Sequence, residues 1–146
     1  MKNIKSIFSN LERKLAQASW FKEGWEIYNR GPYLQLYKSN WFNLNQSGVH
    51  FETYIEDPQI KKKCFPICMH AENDCPFQQD FIKKFLELEK GRISSWKGYK
   101  ISGEGYSICM KEFPLNFKNL EDRMYQEFNK LRKLESTVDQ LLDQLK

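Results

Sequence analysis

Residues 50–71 have the sequence HFETYIEDPQIKKKCFPICMHA, and the fold of the chain depends on how this stretch pairs. Polar and apolar side chains alternate over 50–56 and again over 64–71, which is typical of strands with one buried face. The residues between them, 57–63, contain a proline and three lysines and predict a turn. The stretch therefore predicts a hairpin of two antiparallel strands.

The length of the turn predicts the register of this hairpin. A symmetric turn over 57–63 places His50 opposite His70 and Glu52 opposite Cys68. Directly opposed side chains of an antiparallel pair lie on the same face, with Cβ atoms about 4.5–5.5 Å apart. The other face is then apolar and is expected to be covered by helices. That apolar face holds Phe51, Thr53, Ile55, Phe65, Ile67, Met69 and Ala71.

The polar face of the hairpin carries a cluster of residues that indicates chemistry. The chain has only two histidines, and both begin a His-x-Glu motif, at 50–52 and at 70–72. Two imidazoles, a carboxylate and a thiol in one cross-strand patch suit Zn²⁺ or Mn²⁺. The same groups suit general acid–base catalysis, since histidine titrates near neutral pH. The predicted metal ligands are His50, Glu52, Cys68 and His70, with Tyr54 and Glu72 on the same face.

Other interpretations of this stretch need no metal at the polar face. The outer face of an antiparallel sheet is normally polar and solvated without any chemistry, and a one-residue slip in register would separate the cluster.

A second possible metal-ligand set consists of Cys64, Cys68, His70 and Cys75. However, Cys64 and Cys68 would lie roughly 13 Å apart along one strand, and one ion cannot bridge that distance. The cysteines are therefore expected to be small buried apolar residues.

Patterns outside the hairpin predict an α+β fold. Apolar residues three or four positions apart predict an N-terminal helix over 4–17. A second helix is predicted between an N-cap at Asp74, with Pro76 in its first turn, and a glycine end at Gly91. Further strands are predicted at 25–28, 33–39, 96–101 and 106–111. The predicted fold is an antiparallel sheet of about five to six strands, with an N-terminal, a mid-chain and a long C-terminal helix packed on one face.

Residues 117–146 contain no Gly or Pro and predict a single long helix. Its two heptad positions hold Met124, Leu131, Leu134, Val138, Leu141 and Leu145, and Glu127 interrupts the second series. A helix of this length would be on the order of 44 Å long, which exceeds the width of a domain of this size. We expect a core at 1–116 and a helix at 117–146 that joins the same domain or forms a coiled coil. The partner in that coiled coil would be a second copy, in a homodimer, or another protein.

Composition places the chain among ordinary globular proteins. Its 146 residues are 40% hydrophobic and 15% aromatic, which is enough to bury a full core. Four cysteines without an export signal predict reduced thiols in a cytoplasmic protein. No apolar run approaches the ~18 residues of a membrane span, so no membrane partner is expected.

Motifs that name a reaction are absent from the sequence. It contains no Gly-rich phosphate loop, no GxSxG elbow and no HExxH. The net charge of +4 permits contact with nucleic acid, for which Lys61, Lys62 and Lys63 are the candidates. We expect a binding or assembly module that associates through its C-terminal helix. The alternatives are a small metal-dependent or acid–base enzyme centred on the His/Glu/Cys cluster, and a nucleic-acid-binding protein.

Overall fold

The computed structural model describes residues 3–41, 48–75, 77–102 and 105–145, and its centre is a six-stranded antiparallel sheet. The strands are β1 (Trp25–Asn29), β2 (Tyr33–Lys38), β3 (Val49–Tyr54), β4 (Cys64–Ala71), β5 (Lys100–Ile101) and β6 (Ser107–Pro114), in the sheet order β1-β2-β3-β4-β6-β5. The helices are α1 (Ile4–Ala16), α2 (Asp57–Lys62), α3 (Gln78–Ser95), α4 (Leu120–Leu131) and α5 (Glu135–Gln144). The predicted α+β fold is confirmed. Among the helices of the described residues, none has both the length and the hydropathy to cross a bilayer.

The predicted register of the central hairpin is confirmed. β3 and β4 pair with His50 opposite His70 and Glu52 opposite Cys68. The apolar residues of both strands lie on the opposite face and are buried, and Phe51 packs there against two tryptophan rings. The alternation in the sequence thus separates an apolar face, which belongs to the core, from a polar face.

The connection between β3 and β4 is a short helix rather than a simple turn. α2 begins with a capping box, in which Glu56 and Gln59 each bond the other's backbone N–H, and Pro58 is tolerated in the first turn. Lys63 caps the C-terminus of the helix and adopts a left-handed conformation with φ of 60°. A compact, closed connection of this kind keeps the symmetric spacing on which the predicted register depends.

The predicted N-terminus of the mid-chain helix is wrong. α3 begins at Gln78, and Phe77 rather than Asp74 precedes it. Asp74 instead accepts a hydrogen bond of 2.9 Å from the backbone N–H of Gly48, so its carboxylate is used to hold the start of β3. Pro76, which was predicted in the first turn, lies outside the described residues.

The predicted C-terminus of that helix is also wrong. α3 continues through Gly91 to Ser95, because Ile93 extends the apolar stripe of the helix into the core and is fully buried. A glycine within a helix costs only about 1 kcal/mol relative to alanine, and burial of one isoleucine exceeds this cost. The longer helix shortens the predicted strand 96–101 to Lys100–Ile101.

The C-terminal segment is divided into two helices rather than one. A 3₁₀ turn, Arg132–Leu134, separates α4 from α5. α4 packs against α1, and α5 packs against α3, so the break keeps both halves within the width of the domain. Of the predicted association residues, Met124, Leu131, Leu134, Val138 and Leu141 are buried in the chain's own core and Leu145 is partly exposed. Association through these residues stays a prediction.

A half-buried ionic cluster ties α5 to the end of β2. The carboxylate of Asp139 accepts hydrogen bonds from Lys38 Nζ at 2.7 Å, from Trp41 Nε1 at 2.7 Å and from Asn40 Nδ2 at 3.3 Å. Lys38 also contacts Glu135 at 2.9 Å. Three donors from one short stretch of chain converge on a single carboxylate, which fixes where α5 lies.

We predict that Asp139→Asn lowers the free energy of unfolding by about 2 kcal/mol, because it removes the charged acceptor of the Trp41 N–H and one of the two carboxylates that Lys38 contacts. Urea denaturation measures this difference. The control is Asp122→Asn, which breaks the exposed pair with Lys14 and should leave the stability nearly unchanged. Equal effects of the two substitutions would contradict the anchoring role of Asp139.

Candidate metal centre

Two adjacent strands place four ligand side chains on one face of the sheet. His50 and Glu52 lie two positions apart on β3 and therefore share a face, and the register brings His70 of β4 directly opposite His50. Glu72 follows the last residue of β4, where its backbone N–H donates to the carbonyl of Gly48 at 2.8 Å. This bond extends the pairing by one residue, so the two His-x-Glu motifs meet at the paired histidines and their glutamates lie on either side of that pair.

A β-bulge lies next to one of these ligands. On β6, Cys109 pairs with Met69 but Ser107 pairs with His70, so Ile108 is an extra residue in the ladder. Both Ile108 and Cys109 are buried. Bulges of this kind re-aim a side chain and increase the local twist of the strand. The irregularity of the sheet thus coincides with His70.

The ligand atoms converge on one point. They are His50 Nε2, Glu52 Oε1, His70 Nδ1 and Glu72 Oε1, and all lie within 4.8 Å of one another. The atom of His50 is 2.7 Å from that of Glu52 and 3.7 Å from that of Glu72, and the atom of His70 is 3.0 Å and 3.3 Å from the same two oxygens. A cation with bonds of about 2.1 Å separates neighbouring ligands by about 3.0–3.4 Å in octahedral or tetrahedral geometry. The four spacings scatter around this range.

Three of the four predicted ligands are brought together, and the fourth is replaced. Cys68 lies opposite Glu52 as predicted, but its thiol donates to the main-chain oxygen of Glu52 at 3.7 Å and does not belong to the cluster. Burial raises the pKa of the Cys68 thiol, which disfavours the thiolate that a metal needs. Glu72 takes its place. The repeated His-x-Glu motif was the signal for Glu72, but strand alternation predicts little beyond the end of a strand.

The expectation of a solvated polar face is wrong for this part of the sheet. The His50 side chain is 0% exposed, that of Glu52 5%, that of His70 13% and that of Glu72 28%. Buried ionisable groups are costly unless they are paired or bind a metal. The burial of these four side chains is therefore not what a solvated outer face of a sheet would show. Glu72 is the most exposed of the four side chains.

Side chains of β2 surround the buried end of the cluster. The hydroxyl of Tyr33 donates to Glu52 Oε1 at 3.1 Å, and Gln35 Nε2 donates to the same hydroxyl at 2.6 Å. Gln35 Nε2 also lies 3.1 Å from His50 Nε2. Burial, and next the negative charge of Glu52, raise the pKa of Tyr33, so its hydroxyl stays a donor. These contacts orient Glu52 and His50 from behind, as the outer shell of a metal site does.

Two neighbouring groups contact the same ring nitrogen, His50 Nε2. An amide donor from Gln35 and a carboxylate acceptor from Glu52 both contact this one ring nitrogen. A ring nitrogen either carries a proton or offers a lone pair, so it serves only one of these two partners. A cation between His50 and Glu52 would accept the lone pair of His50 Nε2 and bind the carboxylate of Glu52, so the nitrogen would not need a proton to contact Glu52.

The second imidazole has a related conflict. His70 Nδ1 is buried and lies 3.0 Å from Glu52 Oε1, yet the contact lacks the geometry of a hydrogen bond. Short contacts without hydrogen-bond geometry are expected among ligands that face a common centre rather than each other. His70 Nδ1 and Glu52 Oε1 are therefore better described as two atoms that face a common centre than as a hydrogen-bonded pair.

The electrostatics of the cluster favour positive charge. Burial alone would raise the pKa of Glu52, but contacts with His50 and His70 outweigh it and hold the pKa at about 2. Burial likewise opposes charge on His70, but contacts with Cys68, Glu52 and Glu72 outweigh it and raise the pKa of His70. Two carboxylates thus create a site of negative potential. One divalent cation would neutralise them while both imidazoles stay neutral.

The other predicted site residues lie away from this cluster. Lys61 and Lys62 end α2 and Lys63 follows them, and all three are exposed at the opposite end of the hairpin from His50 and His70. Their contact with nucleic acid stays a prediction. Among the cysteines, Cys68, Cys75 and Cys109 are buried and Cys64 is partly exposed, as expected for small apolar residues.

Comparison with known proteins gives no family for the chain: no family model matches, and no curated protein or solved structure is significantly similar.

We predict that a thiol reagent such as a chromogenic aryl disulfide labels Cys64 of the native protein faster than the other three cysteines, because Cys64 alone is not buried. The hydrogen bond from Cys64 to Glu112 raises the pKa of this thiol and slows its labelling relative to that of a free thiol. The other three thiols should react only after unfolding, since burial restricts access and raises the pKa of Cys68 and Cys109. The rapid phase should vanish in Cys64→Ser and persist in Cys68→Ser. Rapid labelling of the Cys64→Ser protein at Cys68 would contradict the burial described above.

Proposed function

We propose that this protein binds one divalent transition-metal ion through His50, Glu52, His70 and Glu72, and that it acts through this ion. The observation that carries the proposal is the convergence of four ligand atoms within 4.8 Å of one another at a buried position of the sheet. Two histidines and two carboxylates are a common donor set for Zn²⁺ and for Mn²⁺ or Fe²⁺.

The type of donor atom narrows the choice of metal. Imidazole nitrogens suit zinc and the later transition metals, whereas Mg²⁺ and Ca²⁺ prefer sites made of oxygen alone. Zinc also accepts four ligands in tetrahedral geometry, and the four histidine–glutamate spacings of 2.7–3.7 Å are compatible with it. We therefore use Zn²⁺ as the reference ion and Mn²⁺ as its competitor.

Rigidity is a second argument for the proposal. Three of the ligands lie on paired strands, and Glu72 is held by its backbone bond to Gly48. The hydrogen bonds from Tyr33 and Gln35 add a shell that limits the movement of Glu52 and His50. A preformed site spends little free energy on ordering its ligands when the ion binds.

The proposal ranks above the alternatives because it depends on specific geometry. The heptad residues of α4 and α5 already pack in the chain's own core. They could contact a partner chain only if α4 or α5 detached from the core. Among the described residues, no second feature beside the lysines at the end of α2 indicates a nucleic acid. Acid–base chemistry at the same histidines is compatible with a bound ion and forms part of the same proposal.

We predict that the purified protein, stripped with a chelator and reloaded, binds about one Zn²⁺ per chain. His50→Ala, His70→Ala and Glu52→Gln should each weaken binding by more than about 100-fold, because removal of a ligand costs more than removal of an outer-shell group. Elemental analysis after gel filtration and competition with a chromogenic chelator measure stoichiometry and affinity.

The matched control for this experiment is Glu89→Gln. Glu89 is as buried as Glu52 but lies on α3, where it contacts Thr137 and Arg92. This variant should lose stability and keep its zinc. In the parent protein, zinc at 100 times its Kd should add about 2.7 kcal/mol to the free energy of unfolding. Zinc content that is unaffected by both histidine substitutions would refute the proposed site.

A separate prediction concerns the shell behind the ligands. Tyr33→Phe removes the hydroxyl that donates to Glu52 Oε1 and should weaken zinc binding by about 10-fold, at the lower end of outer-shell effects. Tyr28→Phe is the control, because its ring contacts Tyr33 from the edge strand at 6.5 Å without reaching Glu52. Equal zinc affinity of the two variants would show that Tyr33 does not orient the ligand.

A further inference from the structure

The four proposed ligands differ in how firmly they are fixed. His50, Glu52 and His70 belong to paired strands and are largely buried, whereas Glu72 lies beyond the end of β4 and its side chain is 28% exposed. Its oxygen is also the more distant one from His50, at 3.7 Å against 2.7 Å for Glu52. Glu72 is therefore the ligand that can leave at the lowest cost.

A cleft of about 510 Å³ lies beside the cluster. His70 forms part of its wall, so one residue belongs both to the cleft and to the proposed metal centre. The ring of Tyr106 contacts the ring of His70 at 4.9 Å, edge to face, and is half exposed. A volume of this size accommodates a small molecule.

The described part of the cleft wall suits a ligand with an aromatic or apolar group. Aromatic and apolar side chains from three strands and one loop contribute to it, among them Tyr54, Tyr106 and Met110. None of the described residues that line the cleft is a lysine, an arginine or a carboxylate. An anionic ligand such as a phosphate would normally be met by basic side chains. The wall suits a ring or another apolar group, with the serine hydroxyl of Ser107 nearby for one polar contact.

We propose that Glu72 is the exchangeable ligand of the metal, and that the cleft binds a small molecule with an aromatic group and an oxygen that takes the coordination position vacated by Glu72. This inference depends on the metal site proposed above and goes further, because a closed four-ligand site would be structural. A site with three firm ligands and one open position is the arrangement of metal enzymes. The role of Tyr106 is to hold the aromatic group of the ligand beside His70.

The test uses the full-length protein loaded with Co²⁺, whose visible absorption reports the coordination of the ion. The probes are benzohydroxamic acid and acetohydroxamic acid, which bind a metal through their oxygens and release a proton as they do so. Both should change the cobalt spectrum saturably while the metal stays with the protein through gel filtration. Benzohydroxamic acid should bind more tightly, because its phenyl ring fills the cleft.

Variants separate the parts of the proposal. Tyr106→Ala should weaken benzohydroxamic acid by about three- to tenfold, the worth of one aromatic contact, and leave acetohydroxamic acid unchanged. Glu72→Gln should keep its cobalt and bind both probes at least as tightly as the parent protein. Glu52→Gln should lose its cobalt.

Three results would overturn the inference while leaving the metal site intact. They are a cobalt spectrum that does not respond to either probe, extraction of the metal by the probes, and loss of cobalt from Glu72→Gln as complete as that from Glu52→Gln. Failure of the parent protein to bind Co²⁺ at all would instead refute the proposed function. The two proposals therefore fail in distinguishable ways.

Discussion

The pairing of β3 with β4 is the constraint on which both the core and the candidate site depend. With His50 opposite His70, Phe51 and its neighbours enter the core, and the two His-x-Glu motifs meet at this histidine pair on the other face. A shift of one strand by one residue would expose its apolar set and bury its polar set. The burial that stabilises the fold therefore also fixes the geometry of the candidate metal centre. The closed connection through α2 supports this register from one end.

The polar face of the sheet buries ionisable side chains on the side away from the helices. Gln35, His50 and Glu52 are all buried, although they face away from the helices. Most of their polar atoms contact one another or Tyr33, and the remaining conflicts at His50 Nε2 and His70 Nδ1 concern positions where a cation would lie. Networks of this kind are costly when a partner is missing and rigid when all partners are present. This is the physical reason to connect the cluster with metal binding rather than with surface polarity.

Much of this architecture was accessible from the sequence, because alternation and turn length act locally. The register, the apolar face and three of the four ligands follow from residues 50–71 alone. Cys68 was predicted as a ligand and Glu72 was not. The position of Glu72 depends on a backbone hydrogen bond to Gly48 beyond the end of the strand, which strand alternation does not predict. The passage of α3 through Gly91 and the break at Arg132–Leu134 depend on packing between helices distant in sequence. Local propensity carries no information about either.

The most direct test of the proposed metal centre is X-ray absorption at the zinc edge on the zinc-loaded protein. The centre should give a first shell of nitrogen and oxygen atoms only, at about 2.0–2.2 Å, with the multiple-scattering features of imidazole and no sulfur. A shell that contains sulfur at about 2.3 Å would assign the metal to cysteines and contradict the His50–Glu52–His70–Glu72 centre. A hydrated ion without imidazole features would contradict it equally, because the ion would then be bound outside the sheet.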